Sequence, residues 1–313
     1  MKILRSIDAL GEIDAPVVLA AGVFDGLHLG HQAVLLAARD SAARIGGIPV
    51  ALTFDPHPAA VLRPQRIPRL LTPLDDKLRL IERLGIEHAL VISFDAAFAA
   101  MEAEDFVLKL CRAASQLAGI CIGEGWLFGH DRRGDARLLQ KLGMKNGFFT
   151  SATAPVLVDG EVVSSTRIRE CLSSGDLAQA ARLLGREFAL RGTVARGAGL
   201  GGKLGFPTAN IAATGLQYPS NGVYAIEARF HGHTVRGVAN IGVRPTVAEK
   251  GPPLLEVHLF DFSGDLYDQD IEVAFLHFLR GEKKFGNLEE LRKQIEKDAA
   301  TARAWLQTRI PTV

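Results

Sequence analysis

Cysteine is scarce and unpaired. Cys111, Cys121 and Cys171 are the only three in 313 residues, and no two form a C-x-x-C pair. That usage argues against a disulfide framework or a zinc site and fits a reducing compartment, so a cytoplasmic location is expected. Taken singly, each reads as small core filler. Long hydrophobic runs are also missing. Stretches such as Pro16–Phe24 fall far short of the ~20 apolar residues that span a bilayer, and Met1-Lys2-Ile3-Leu4-Arg5-Ser6-Ile7-Asp8 lacks the apolar core of a secretory signal. No membrane partner is expected. Charge of one sign is not in excess either: 36 basic residues face 35 acidic ones, for a net charge of +1. The broad basic footprint of a nucleic-acid binder is therefore lacking, as is any signature of an acidic partner. Internal repeats and low-complexity tracts are absent, and nothing in the sequence calls for an obligatory protein partner.

The chain has ordinary globular proportions, with 48% hydrophobic and 23% charged residues, and its length fits two domains. The halves differ in pattern. Pro16–Phe24, Ile48–Phe54, His88–Phe94 and Gly119–Gly123 read as buried strands, and Gly30–Ile45, Asp75–Leu84 and Glu104–Ser115 carry apolar residues at helical spacing. Such alternation predicts a mostly parallel α/β sheet, with ligands at the carboxyl ends of its strands. In the second half, Phe188–Arg196, Gly222–Phe230, Thr234–Ile241, Leu254–Phe262 and Ile271–Leu279 read as strands joined by Gly, Pro and Asn turns. They predict an antiparallel β-barrel. A C-terminal helix, Leu288–Leu306, follows Asn287 as N-cap, with Glu289 and Glu290 in its first turn. Between the halves, Ser164–Gly185 reads as two short helices. The expected domains are 1–184 and 185–313.

Chemistry concentrates in a few loops. Gly22-Val23-Phe24-Asp25-Gly26-Leu27-His28-Leu29-Gly30-His31 runs off the first strand into a helix. Gly22 and Gly26 permit a tight turn and close approach of backbone to ligand. Gly30 lies where amides at a helix start can face a phosphate, and His28 and His31 can donate to phosphate oxygens from one side. Ser164-Ser165-Thr166-Arg167-Ile168-Arg169 opens another helix, with hydroxyls, free amides and the Arg169 guanidinium. Thr53-Phe54-Asp55-Pro56-His57-Pro58 follows the second strand, and Trp126 and Phe128 offer aromatic surface to a flat ring. In the second half, the glycine-rich loop with Gly197, Gly199, Gly201, Lys203 and Gly205 can wrap amides around phosphates as a nest. It continues into Phe206-Pro207-Thr208-Ala209-Asn210. Glu256 interrupts an otherwise apolar strand, a costly place for a carboxylate without a purpose.

These motifs together resemble the bacterial bifunctional riboflavin kinase and FMN adenylyltransferase (FAD synthetase) family, from about Val17 to Ala302. The resemblance implies a Rossmann-like nucleotidyltransferase domain, in which His28 and His31 stabilise charge on ATP. Gly22, Phe24, Asp25, Gly26, Gly30, Ser164, Ser165, Thr166 and Arg169 would line its ATP site. Phe54, Pro56, His57, Pro58, Trp126 and Phe128 would lie toward the flavin. It further implies a barrel-type riboflavin kinase domain with Glu256 as general base. There Gly197, Gly199, Gly201, Lys203, Gly205, Phe206, Pro207 and Asn210 would hold ATP, Thr208 and Asn210 would hold Mg²⁺, and the closing helix would pack over the flavin. ATP is the implied co-substrate, and riboflavin, FMN and FAD are the implied substrates and products. The resemblance departs at Gly125 and Leu127, where the family carries polar residues. Two other readings stay open: a riboflavin kinase whose first domain is impaired or re-purposed, and a flavin-binding regulator without catalysis.

Overall fold

The computed structural model of the chain describes residues 1–196, 200–203, 205–243 and 253–309. Two compact units are present, Met1–Ser165 and Thr166–Val313. The division falls ahead of the 184/185 boundary read from the sequence.

The first unit runs β1 (Lys2–Leu4), β2 (Val17–Ala21), α1 (Leu29–Arg44), β3 (Ile48–Asp55), α2 (Pro58–Leu62), α3 (Leu74–Glu82), β4 (His88–Ser93), α4 (Ala96–Ala99), α5 (Ala103–Ala113), β5 (Leu117–Gly123), α6 (Ala136–Asn146), β6 (Phe149–Thr153) and a small hairpin of β7 (Leu157–Val158) and β8 (Glu161–Val162). Six strands form one parallel sheet in the order β1-β4-β3-β2-β5-β6. Every residue of β2 is buried, as a strand covered on both faces must be. Val17, Leu19 and Ala21 face one core with Phe106, Val107 and Leu110 of α5, while Val18 and Ala20 face a second with Leu35, Ala38 and Ala42 of α1. The strand order reverses between β2 and β5. The crevice at their carboxyl ends is where an open α/β sheet receives its ligand.

The second unit continues with α7 (Ser165–Ser174, from Thr166 on), α8 (Leu177–Leu184), β9 (Ala189–Ala195), α9 (Leu200–Lys203), β10 (Ala209–Ala212), β11 (Gly222–Phe230), β12 (His233–Val243), β13 (Pro253–Leu259), β14 (Asp270–Arg280) and α10 (Leu288–Thr308). The six strands close into an antiparallel barrel, β10-β13-β12-β11-β14-β9. Asn287 caps α10, its side chain accepting from the Glu290 amide at 2.9 Å. Ala299, Ala302 and Leu306 of α10 pack on Ala225, Val238, Ala274 and Leu276 of the barrel wall. Leu177, Ala180, Leu183 and Leu184 of α8 are buried as well, and the Leu172 carbonyl of α7 accepts from the Ser220 amide at 2.9 Å. No helix among the described residues is long and apolar enough to cross a membrane.

Candidate active sites

The loop leaving β2 is held in a conformation that costs energy. Phe24 and Leu27 adopt positive φ (54° and 42°) beside Gly26 at 83°, a region that non-glycine residues visit only under constraint. A Cβ on Gly22 would lie 2.6 Å from the Phe24 ring. Asp25 supplies much of the constraint: its buried carboxylate accepts from the Leu71 and Thr72 amides at 3.0 and 3.1 Å. The Gly26 amide donates to the Thr72 hydroxyl at 3.1 Å, and the Ser165 hydroxyl donates to the Asp25 carbonyl at 2.8 Å. Asp25, expected at the ATP, thus also fastens the loop to the segment ahead of α3.

His28 is the N-cap of α1, its Nδ1 accepting from the His31 amide at 3.3 Å. Acceptance there puts the proton of the neutral ring on Nε2. The two imidazoles stack 3.6 Å apart at 18°, and the Phe24 ring meets His31 edge-on. Burial holds the His31 pKa well below 6.5, with the charges of His28 and Lys77 adding to the effect. His31 is therefore a neutral donor near pH 7, and its Nδ1 is buried with no hydrogen-bond partner. Gly30 sits in contact with the His28 ring, where a Cβ would come within 3.2 Å.

At the end of β3, Phe54 is buried and packs edge-on against Phe94. His57 caps α2, accepting from the Ala59 amide at 3.1 Å, with Pro56 before it and Pro58 in the first turn. After β5, Trp126 stacks on Phe128 at 4.7 Å and 17°. Phe128 is buried and belongs to the core, so Trp126 carries the accessible part of the pair. Nothing lies within 4 Å of where a Gly125 Cβ would point, and Leu127 is exposed. Ser164 precedes α7, and Thr166 and Arg169 lie on α7 and group with the second unit.

In the barrel the strand register assembles the polar set. Asn210 of β10 is paired with Glu256 of β13, which is paired in turn with Asn240 of β12. Directly opposed residues share a face, so an amide, a carboxylate and an amide lie in one row across three strands. Glu256 is half-buried, alternating with buried Leu255 and Val257, so the cost assumed for a carboxylate in an apolar strand is smaller than its neighbours imply. Asn210 is buried and its Oδ1 has no hydrogen-bond partner. On the opposite face a cavity of about 310 Å³ is lined by Thr208, Ala209, Val257, Leu259, Phe262 and Tyr267, among others. His258 was not singled out in the sequence. Its Nδ1 lies 2.9 Å from the Pro207 carbonyl and its ring meets Phe206 edge-on, tying the Pro207-Thr208 turn to the strand of Glu256. Gly201 lies within α9 and Gly205 turns at φ 85°. Gly197 and Gly199 lie outside the described residues, as does the Lys203 side chain.

Comparison with known proteins matches both halves. The family model described as FAD synthetase covers residues 11–167, and that described as riboflavin kinase covers residues 184–306. Bifunctional riboflavin kinase/FMN adenylyltransferase of Escherichia coli strain K12 is 38% identical over 305 residues, spanning 97% of each chain. The Haemophilus influenzae protein of that name is 36% identical, spanning 98% of this chain and 100% of its own. A crystal structure described as a macrolide-efflux protein from Streptococcus pneumoniae superposes with a TM-score of 0.85 at 27% identity, covering 97% of this chain and 100% of the other. A histidine pair at the switch point of a parallel sheet, a carboxylate–amide row on a closed barrel and full-length similarity agree, and the chain belongs to the bifunctional riboflavin kinase/FMN adenylyltransferase family.

Proposed function

We propose that the chain performs two ATP-dependent transfers in sequence: riboflavin and ATP give FMN and ADP on the barrel, and FMN and ATP give FAD and pyrophosphate on the parallel sheet. The observation that carries this reading is that two separate sets of phosphate-handling side chains stand on two compact units of one chain. The functional modules are 1–184 and 185–313. Free Cys111, Cys121 and Cys171, with the Cys121 thiol pushed up to about 11 by burial, fit action in the cytoplasm.

On the barrel, Glu256 takes the proton of the riboflavin 5′-hydroxyl as that oxygen attacks the γ-phosphorus, and Asn210 and Asn240 flank it. The cavity on the other face receives the adenosine, and Thr208, just ahead of β10, stands where the phosphates pass from one face to the other. The donors fit Mg²⁺, a hard cation that prefers oxygen and takes few protein ligands when phosphates supply the rest. The orphaned Asn210 Oδ1 and the Thr208 hydroxyl are two such oxygens. Bound there, Mg²⁺ would neutralise phosphate charge during transfer.

On the sheet, amides at the start of α1 and the His28 and His31 donors receive the triphosphate, with Ser164 and Ser165 as further phosphate contacts. Trp126 presents aromatic surface to the isoalloxazine, supported by Phe128, with Phe54, Pro56, His57 and Pro58 toward the flavin end. No covalent intermediate is needed; catalysis consists of positioning and charge stabilisation. The test is incubation of the full chain with riboflavin, Mg²⁺ and ATP and separation of the flavins. FMN followed by FAD supports both steps, FMN alone leaves a kinase with an inactive first unit, and no conversion leaves a binding protein.

A further inference from the structure

Lys77 lies in α3, in a stretch whose sequence reads as an ordinary amphipathic helix, yet its side chain is only 6% exposed. Removing an ammonium from water is costly unless a counter-charge or several acceptors receive it. Among the described residues Lys77 has no carboxylate within ion-pair distance and no set of acceptors around it. Its one hydrogen-bond contact is the Thr53 hydroxyl at 3.5 Å, and that hydroxyl itself donates to the Val23 carbonyl at 3.0 Å. Asp25 and Asp55 attract it from beyond ion-pair distance, too weakly to offset burial, so its pKa is lowered from 10.5. Its charge also reaches His31, whose pKa it helps to depress and whose Nδ1 is buried with no hydrogen-bond partner.

The placement is built in. Asp25 accepts the Leu71 and Thr72 amides, and Thr72 accepts the Gly26 amide. These bonds fix the segment ahead of α3 to the loop that carries the histidines, so a buried cation and the unpaired imidazole nitrogen of His31, at the start of α1, are held close enough to feel each other's charge. One anion would satisfy both.

We propose that Lys77 is a third cationic contact for the ATP triphosphate in adenylyl transfer, acting with His28 and His31 on the phosphates that leave as pyrophosphate. The inference rests on the adenylyltransferase reading of the first unit. In the step, an oxygen of the FMN phosphate attacks the α-phosphorus of ATP. The bond from that phosphorus to the bridging oxygen breaks, and pyrophosphate leaves with the bonding pair. The Lys77 ammonium offsets the negative charge that grows on the departing group, and no proton is transferred.

Lys77→Met tests this in the full chain, because methionine keeps the length of the stem and removes the charge. FAD formation from FMN, followed against ATP concentration, should lose ~10²-fold in kcat/KM, the size of one preorganised donor. Riboflavin phosphorylation by the same protein should be unchanged. The melting temperature should hold or rise, since a buried unpaired charge is replaced by an apolar group. A residue with a purely structural role would lower it. FAD formation within about threefold of wild type, well below that ~10²-fold loss, overturns the proposal, as does a loss of activity accompanied by a lowered melting temperature. Titration with Mg²⁺-ATP separates this inference from the acceptor assignment. Lys77→Met should weaken the same one of two ATP sites that His28→Ala weakens, and weakening of neither site overturns the proposal. If wild-type protein forms no FAD while that shared site still weakens, the FMN assignment fails and Lys77 stands.

Discussion

At the scale of single residues, the two chemistries separate. His28→Ala removes a ring whose Nδ1 caps α1 and whose Nε2 carries the donor proton. Loss of one preorganised donor costs on the order of 10²–10³ in rate, so FAD formation should fall by that factor while riboflavin phosphorylation persists. Glu256→Gln should do the reverse: FMN formation drops by ~10²–10⁴, the usual worth of a positioned base, while FAD still forms from supplied FMN. Comparing both product yields for each variant checks the pair, and parallel loss of both activities in either one would contradict two independent sites. Gly125→Asn addresses the polar group that the loop after β5 lacks. Space is open where its Cβ would point, so the substitution should tighten FMN by roughly tenfold, ~1.4 kcal/mol, read as FAD formation against FMN concentration. His31 also predicts a pH dependence. Its folded pKa is depressed below 6.5, so the unfolded chain binds the proton more readily and stability falls as pH drops through 6.5. His31→Asn should flatten the decline of the first unit's melting temperature between about pH 6.5 and 5. The histidine motif and Glu256 were legible because their neighbours are glycines or apolar residues that isolate them. Lys77 was not, since Leu74-Asp75-Asp76-Lys77 reads as the solvent side of a helix, and its burial beside Thr53 of β3 comes from tertiary packing that no local pattern shows.

At the scale of elements, apolar patterning located the buried pieces and missed the thin ones. The central strands β2, β3, β4 and β5 are apolar over most of their length and could be read directly. The edge strand β6 could not: Phe149-Thr150-Ser151-Ala152-Thr153 has no buried residue to generate a pattern. Strand β10 spans four residues, Ala209–Ala212, and begins inside the Thr208–Asn210 motif, so its ligand chemistry hid its pairing. Pairing is nonetheless what brings Asn210 beside Glu256 and adds Asn240, a row that spacing along the chain cannot show. Helix α10 was legible from its cap to its last turn, but its main polar anchor was not. Arg280, at the end of β14, donates from Nε to both Asp298 oxygens at 3.0 Å and from Nη2 at 2.7 Å, and the Gln294 amide adds a bond at 2.8 Å. Asp298 is buried while Arg280 remains about a quarter exposed. Breaking a fully buried pair costs ~3–5 kcal/mol, and solvent access to Arg280 reduces this to about 2 kcal/mol. Asp298→Ala should therefore lower the melting temperature of the second unit by several degrees, on the order of 5–8 °C. Thermal melts of the full chain followed through Trp305, which stacks on His277 at 4.7 Å, would report it.

At the scale of the whole molecule, the open question is which residues each half needs in order to stand alone. The motifs of the kinase step all lie after residue 184, and the riboflavin kinase family model begins there. The compact unit begins at Thr166, because α7 and α8 bury apolar side chains in the company of the barrel. Leu177, Ala180, Leu183 and Leu184 of α8 are all buried, and α7 receives the Ser220 amide at its Leu172 carbonyl. Function and packing thus draw the line at different places, and two fragments distinguish them. Residues 166–313 should fold with a single cooperative melt and phosphorylate riboflavin at the rate of the full chain. Residues 185–313 keep every kinase motif but expose the surface that α8 covers. Each fully buried aliphatic side chain contributes about 1.5–3 kcal/mol, and three leucines leave with α8, so this fragment should lose several kcal/mol, a large part of the ~5–15 kcal/mol that holds a domain. It should melt well below the longer fragment, and its kinase activity should follow the folded fraction as temperature rises. Equal melting temperatures would mean that α7 and α8 belong functionally and energetically to the first half. An inactive but fully folded shorter fragment would place part of the kinase site on α7 or α8.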